Sequence, residues 1–325
     1  VDNLLPFKLI PEYRDYVWGG QRLRPGQKTA EAWVVYENDL IAEGALAGQT
    51  LAQAMRQHGA ALLGDLVFSQ SPQRFPLLVK LLDCADWLSV QVHPDDVQAQ
   101  QLEGKSMTGK TEAWHVIDAL PGAELIAGVL PTVSQENLLQ AVNEGRVLDV
   151  VQRLRVQAGD TVYVPAGTIH ALGPGLLIYE IQQASDLTYR IYDWDRPLSN
   201  GRVLHVEKAR RVVRVDSGTF HHPMPALEDG QRAILAAGVQ FRLDLLTLQH
   251  QSGLLPSGRR SFQTLTVVEG AVELLCGQQR MCLDRLETAF IPAASAECVV
   301  QPMKKSRVLL AAVAMSEEAS KTIGG

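Results

Sequence analysis

A chain of 325 residues, 46% of them hydrophobic, is long enough for two domains and apolar enough to bury sizeable cores, which excludes wholesale disorder. Its 30 basic and 36 acidic side chains leave a net charge of −6, with Lys and Arg scattered rather than massed, which argues against a nucleic-acid surface. No apolar run reaches a membrane span, "VDNLLPFKLI" lacks a signal-peptide core, and the four cysteines form no CxxC pair, so a reducing cytoplasmic setting is expected.

From the N-terminus, "TLAQAMRQHGAALLGDLV" (50–67) carries apolar residues at helical spacing. "PLLVKLLD" (76–83), "WLSVQVH" (87–93), "EAWHVID" (112–118) and "ELIAGVL" (124–130) are short runs bounded by turn residues and predict strands. A second helix is expected over 134–154, "SQENLLQAVNEGRVLDVVQRL", with Ser134 as N-cap. Strands follow at "TVYVP" (161–165), "LLIYEIQQ" (176–183) and "TYRIYDW" (188–194). The run "EKARRVVRV" (207–215) mixes Glu207 and valines with its cations and reads as a solvated helix or strand face. Residues 216–234 have the polar, Pro- and Gly-bearing texture of a connection, after which short strands resume with turns at Gly270 and Gly277. Closely spaced antiparallel strands of this kind suit jelly rolls.

The chemistry gathers around a few positions. In "WLSVQVHPDD", Gln91 and His93 are two apart, so strand alternation places both on one face, and Pro94 then ends the strand. In "GKTEAWHVID", Lys110 and Glu112 share a face by the same rule while His115 points to the other. In "GDTVYVPAGTIH" a strand-like run stops at Pro165, turns at Gly167 and delivers His170. One Gln, two His and one Glu offer two neutral nitrogens and two oxygens, a set that suits zinc and other divalent first-row ions. A +2 ion with a single carboxylate keeps about one net positive charge and remains a good Lewis acid. His58, His115, His205, His221, His222 and His250 lack such company and are read as structural or surface residues.

"GDTVYVPAGTIH" matches the second cupin signature through Gly159, Pro165, Gly167 and His170. Together with "YVWGGQRL" (16–23), "QVHPDD", "GKTEAWHVI" and "EIQQASDLTYRIYDWDR", in that order, it resembles the type I phosphomannose isomerases, in particular their short bacterial form. The resemblance covers roughly residues 10–215. It implies a mainly β fold of two cupin-like jelly-roll barrels with a few helices inserted in and around the first. The catalytic domain would span 1–215 and a metal-free β domain 216–325. It also implies one zinc ion per chain on Gln91, His93, Glu112 and His170, the four residues the donor chemistry selects. An ordinary cupin has HxH followed closely by Glu; here Gln takes the first slot and the Glu lies nineteen residues beyond His93.

The implied reaction converts mannose 6-phosphate to fructose 6-phosphate through a cis-enediol or enediolate. Arg190 matches the family's catalytic arginine, and Lys110 its second pocket cation. Glu180, Lys110 and a metal-bound water are the candidates for the base. Trp18, Asp186 and Arg196 are candidate substrate contacts; Trp18 equally suits packing, and "DWDR" a salt-bridged turn. In the second unit, Phe262, Thr264 and Thr266 stand where a metal cupin would place ligands. The expected partner is a small sugar phosphate, with no nucleic acid or membrane, on a monomer or homodimer. Two readings compete: an isomerase of a related sugar or sugar phosphate, and a non-catalytic sugar-binding cupin.

Overall fold

Strands dominate the described residues, and the strand pairs at the heart of the sheets are antiparallel. The computed structural model describes residues 4–197, 202–256 and 260–314. Among them no helix is long and apolar enough to cross a membrane. Two compact units emerge, neither a single run of chain: one comprises 1–12, 33–80 and 225–325, the other 13–32 and 81–224.

The unit of residues 13–32 and 81–224 is a two-sheet barrel. One sheet has the order Tyr189–Tyr192, Val90–Val92, His170–Leu172, Glu124–Val129, Val151–Arg155. The other sets Phe220–His222, Thr161–Val164, Glu112–Ala119 and Leu176–Gln183 side by side. Alternation divides the side chains of the first sheet cleanly. Leu125, Ala127 and Leu172 join Trp114, Val116, Val162, Val164 and Ile178 of the second in the barrel core. Val90, Val92, Ile126, Ala171 and Ile191 turn to the other face, where they pack with Leu138, Val142, Ala209 and Val212 of two helices, Gln135–Asn143 and Val206–Val212.

Ser134 caps its helix, its hydroxyl accepting from the Asn137 amide at 3.1 Å. The expected continuation to 154 does not form. The helix stops at Asn143, Gly145 adopts φ +69°, and Val151–Arg155 becomes the edge strand beside Glu124–Val129. Apolar spacing alone could not separate these outcomes, because the ladder partner lies twenty-odd residues away. Helix Asp96–Glu103 was not expected, though its signal is local: Asp95 and Gln98 form a capping box, with amide-to-side-chain bonds of 2.8 and 3.0 Å. The connection read at 216–234 in fact contributes strand Phe220–His222 and the start of Arg232–Ala237.

The other unit is also a barrel. Its larger sheet runs Arg232–Ala237, Phe241–Leu248, Ser306–Val313, Gln263–Glu269, Thr288–Ile291, Phe7–Ile10, Leu40–Ile41. Gly253–Leu255, Cys298–Pro302, Ala271–Cys276 and Gln279–Asp284 form the smaller one. The N-terminal strand belongs here, with Phe7 stacked on Phe290 at 5.0 Å. The helical stretch after Thr50 also belongs here, broken into Leu51–His58, Ala60–Leu63 and Asp65–Gln70 at Gly59 and Gly64.

Candidate metal centre

A row of polar side chains crosses the interior face of the five-stranded sheet. Gln91 is the register partner of His170 on one side and of Arg190 on the other. Neighbouring strands lie about 5 Å apart, so the three side chains are adjacent. The opposite sheet supplies Glu112, the first residue of its strand, level with Val164 and Gln182.

His93 reaches the same point by another route than alternation, because its strand ends at Val92. Hydrogen bonds hold it instead. Its carbonyl accepts from the Gly167 amide at 2.9 Å, and the Pro94 carbonyl accepts from the Lys110 amide at 2.9 Å, which ties three separate segments together. Gly167 sits at φ +89°, a left-handed conformation that suits glycine and turns the chain between Pro165 and His170. Gly109 permits a close crossing: a Cβ there would lie 2.6 Å from the Asp95 carbonyl carbon.

The result is a buried group of His93, Glu112 and His170, with one donor atom from each within 4.8 Å of the others. The two Nε2 atoms lie 3.1 Å apart; Glu112 Oε1 is 3.3 Å from that of His170 and Oε2 3.5 Å from that of His93. On the far side of each ring Nδ1 faces a backbone carbonyl, Leu187 at 2.7 Å for His93 and Thr168 at 2.9 Å for His170. A carbonyl only accepts, so in the neutral rings Nδ1 carries the proton and both Nε2 atoms are left as acceptors. Two lone pairs and a carboxylate therefore converge on one buried point, an arrangement that a cation satisfies and that the three groups cannot satisfy among themselves. Gln91 Nε2, 3.2 Å from His170 Nε2, and Lys110 Nζ, 3.3 Å from His93 Nε2 and 3.0 Å from Glu112 Oε2, close the group.

Burial pushes the His170 imidazole down to about 4 from 6.5; the Thr168 carbonyl opposes this and the Lys110 charge reinforces it. The ring is thus neutral and ready to ligate at neutral pH. The depressed value also means that folded protein binds fewer protons than unfolded protein between those two values. Stability contributed by the neutral ring is complete above pH 6.5 and is lost as pH falls toward 4. Melting of metal-stripped protein should accordingly decline over that window, and less so for His170→Ala. Parallel declines for the two proteins would show that the ring is not held neutral.

Comparison with known proteins shows the family of the chain. A family model described as phosphomannose isomerase type I, catalytic domain, matches residues 6–110. The mannose-6-phosphate isomerase ManA of Bacillus subtilis is 35% identical over 289 residues, covering 84% of this chain and 88% of its own. The probable mannose-6-phosphate isomerase GmuF of the same organism is 40% identical over 243 residues, 71% of this chain and 75% of its own. The chain belongs to the type I phosphomannose isomerase family. Among solved structures, a mannose 6-phosphate isomerase from Bacillus subtilis superimposes with a TM-score of 0.78 at 29% identity, covering 95% of this chain and 99% of that one.

Around the centre of this family member the other expected residues divide. Arg190 lies half-buried beside Gln91; its Nε donates to Ser89 Oγ at 3.2 Å and a terminal nitrogen to the Val203 carbonyl at 3.1 Å. Among the described residues it has no carboxylate within ion-pair distance, unlike its neighbour Arg202, which takes up Asp193. Glu180 is buried, one alternation step from the Glu112–Gln182 row, and its Oε2 accepts from the Trp114 indole at 2.9 Å. Trp114 in turn sets its ring edge-on to His170 at 5.4 Å.

Three residues are not brought into the group. Trp18 is buried in the apolar barrel core with Leu82, Cys84 and Trp114, a packing residue. Asp186 is exposed. Arg196 is occupied by Asp193 at 3.1 Å, Asp86 at 2.7 Å and the Trp87 carbonyl at 2.7 Å, so "DWDR" is a salt-bridged turn with Trp194 and Asp195 at positive φ.

Two further residues of the site carried only weak sequence signals. Ser89 stands two before Gln91 and so shares its face; its hydroxyl donates to Gln91 Oε1 at 3.2 Å and links Gln91 to Arg190. Gln182, two after Glu180, is fully buried opposite Glu112 and donates to the Gln183 and Ser185 carbonyls. Alternation from an accepted site residue is the rule that would have pointed to both.

Proposed function

We propose that this chain interconverts mannose 6-phosphate and fructose 6-phosphate, with one zinc ion held by Gln91, His93, Glu112 and His170. The observation that carries the proposal is the convergence of two proton-free imidazole nitrogens on the buried Glu112 carboxylate, beside an arginine with no acidic partner among the described residues. Two nitrogens and two oxygens with a single negative charge are a fitting zinc set. Gln91 would present its amide oxygen in place of the Nε2 that faces His170, and Ser89 Oγ can accept from the amide nitrogen as readily as it donates to the amide oxygen. The bound ion would supply Lewis acidity for the negative charge that develops on the sugar oxygens.

The chain's own residues do the rest. The reaction moves a proton between C2 and C1 through a cis-enediolate, so a group must take it from one carbon and return it to the other. Glu180 is the group we assign, because the Trp114 indole orients its carboxylate at the inner face while the Lys110 ammonium is committed to Glu112 and His93. Lys110 thereby positions two ligands. Arg190 offers a guanidinium to anionic oxygen, and its bond to Ser89 fixes it relative to Gln91.

Purified protein assayed for mannose 6-phosphate to fructose 6-phosphate conversion, alongside its metal content, tests the reading. Turnover should disappear on chelation and return with zinc. In the same assay Arg190→Ala should lower kcat about a hundredfold, the order expected when an electrostatic stabiliser is removed. A change confined to KM would make Arg190 a binding residue only. Full activity in metal-free protein would end the metal-centred reading.

A further inference from the structure

The barrel that carries the C-terminal strands holds a pair of thiols in its core. Along Gln263–Glu269 it is Leu265 and Val267 that enter that core, so the inward positions are offset by one from Phe262, Thr264 and Thr266. Cys276 and Cys298 enter it too, from strands Ala271–Cys276 and Cys298–Pro302. The two are register partners at the end of their ladder. Partners on antiparallel strands share a face, so both thiols point the same way.

The phase of the ladder sets how close they come. The Met303 amide donates to the Ala271 carbonyl at 2.9 Å, so Ala271 turns its backbone groups toward that neighbour. Backbone direction alternates along a strand, and Val272, Leu274 and Cys276 therefore turn theirs away. Pro302, opposite Val272, has no amide hydrogen and fits this phase. Cys276 and Cys298 thus form a non-hydrogen-bonded pair, the kind with Cα atoms about 4.5 Å apart and side chains closest. A disulfide asks for about 4.4–6.8 Å. The sulfurs also meet at one oxygen, the Ala296 carbonyl, which lies 3.4 Å from Cys276 Sγ and 3.3 Å from Cys298 Sγ.

Both cysteines are 1% exposed, yet Cys298 lines a cavity of about 10 Å³ with Ser261, Gln263 and Ser295. That is about the least space that holds a water molecule. The Cys298 thiol hydrogen-bonds Cys276 and, against burial, pulls that thiol below its ordinary value; the same bond, with burial, holds the second proton on the pair. One thiolate beside one thiol is the combination that disulfide formation uses. Cys282 differs in every respect: it is exposed, on the outer face between the core residues Met281 and Leu283.

We propose that Cys276 and Cys298 are a redox-active dithiol, which hydrogen peroxide, an oxidant little larger than water, converts to a cross-strand disulfide. The thiolate sulfur attacks one peroxide oxygen, the O–O bond breaks, hydroxide leaves and a sulfenic acid forms. The second sulfur attacks the sulfenic sulfur, the S–O bond breaks and a second hydroxide leaves. The two thiol protons turn both hydroxides into water, so the thiols lose two electrons and one peroxide gains them. A thiol reductant reverses the change. The pair lies outside the metal centre, and the proposal stands whether or not the isomerase reading holds.

Reduced full-length protein exposed to hydrogen peroxide, digested with trypsin without reductant and weighed by mass spectrometry, tests it. Cleavage after Arg280 and Arg285 separates the two cysteines and isolates Cys282. Two peptides joined through Cys276 and Cys298, short of two hydrogens and released by dithiothreitol, are expected. Their joining should run about tenfold or more faster than oxidation of Cys282, although Cys282 is the exposed thiol. Cys282→Ser, which touches neither partner, should form the link at the native rate, whereas Cys298→Ser should form none. The native chain and Cys282→Ser decide the matter if Cys298→Ser does not fold. No link in the folded protein, a link made through Cys282, or Cys282 oxidised first would overturn the proposal.

Discussion

His170→Ala is expected to release the metal and abolish turnover while the barrel stays folded. The imidazole supplies one of two converging nitrogens, and its strand holds it between Gln91 and Ala127 as register partners. Alanine keeps both ladders, which are backbone bonds, and leaves a void beside Trp114. A buried change of this size costs on the order of 1–3 kcal/mol, against a total stability of about 5–15 kcal/mol for a typical domain. Lewis-acid stabilisation worth several kcal/mol, at about 1.4 kcal/mol per tenfold in rate, puts the lost turnover at about a thousandfold or more. His115→Ala is the matched control, since that ring bonds Thr161 instead. One metal per chain retained in His170→Ala, measured by atomic emission, would refute the ligand assignment.

Glu180→Gln should reduce kcat by a factor of about 10²–10⁴, the usual contribution of a positioned acid or base, with metal content and KM nearly unaltered. The amide keeps an acceptor for the Trp114 indole, so the local packing is preserved. Exchange of solvent deuterium into the C2 position of substrate isolates proton transfer from later steps. It should vanish in Glu180→Gln and persist at a reduced level in Lys110→Met, whose loss disturbs Glu112 and His93. The opposite pattern would transfer the proton-carrying role to Lys110.

Much of the site was legible because its chemistry is local. Pro165, Gly167 and His170 lie within six residues, and the turn between them is dictated by the proline ring and a positive φ that glycine tolerates. Alternation correctly sets Gln91 on the face opposite to Val90 and Val92, since a strand of any register keeps its period of two. Where the reading failed, the deciding partner was distant. Val151–Arg155 is a strand because Glu124–Val129 offers an open edge, and Phe220–His222 because Thr161–Val164 does. For Arg196 the sequence allowed both a substrate contact and a salt-bridged turn, and the ion pair with Asp86, 110 positions away, is a feature no local spacing could supply.

By itself, the sequence determined which donors this protein possesses: an amide, two imidazoles, a carboxylate and an ammonium, each at the mouth of a strand or turn, in an order shared with the type I phosphomannose isomerases. Those are properties of residue type and short spacing. Only the tertiary structure decided that the donors converge, which imidazole nitrogen faces inward, and that Arg190 rather than Arg196 stands next to Gln91. Convergence depends on sheet register and on carbonyls such as that of Leu187, which lies 94 positions from His93 in the chain. No local pattern specifies such pairings; they follow from burying two apolar sheet faces against each other while keeping every ladder hydrogen-bonded.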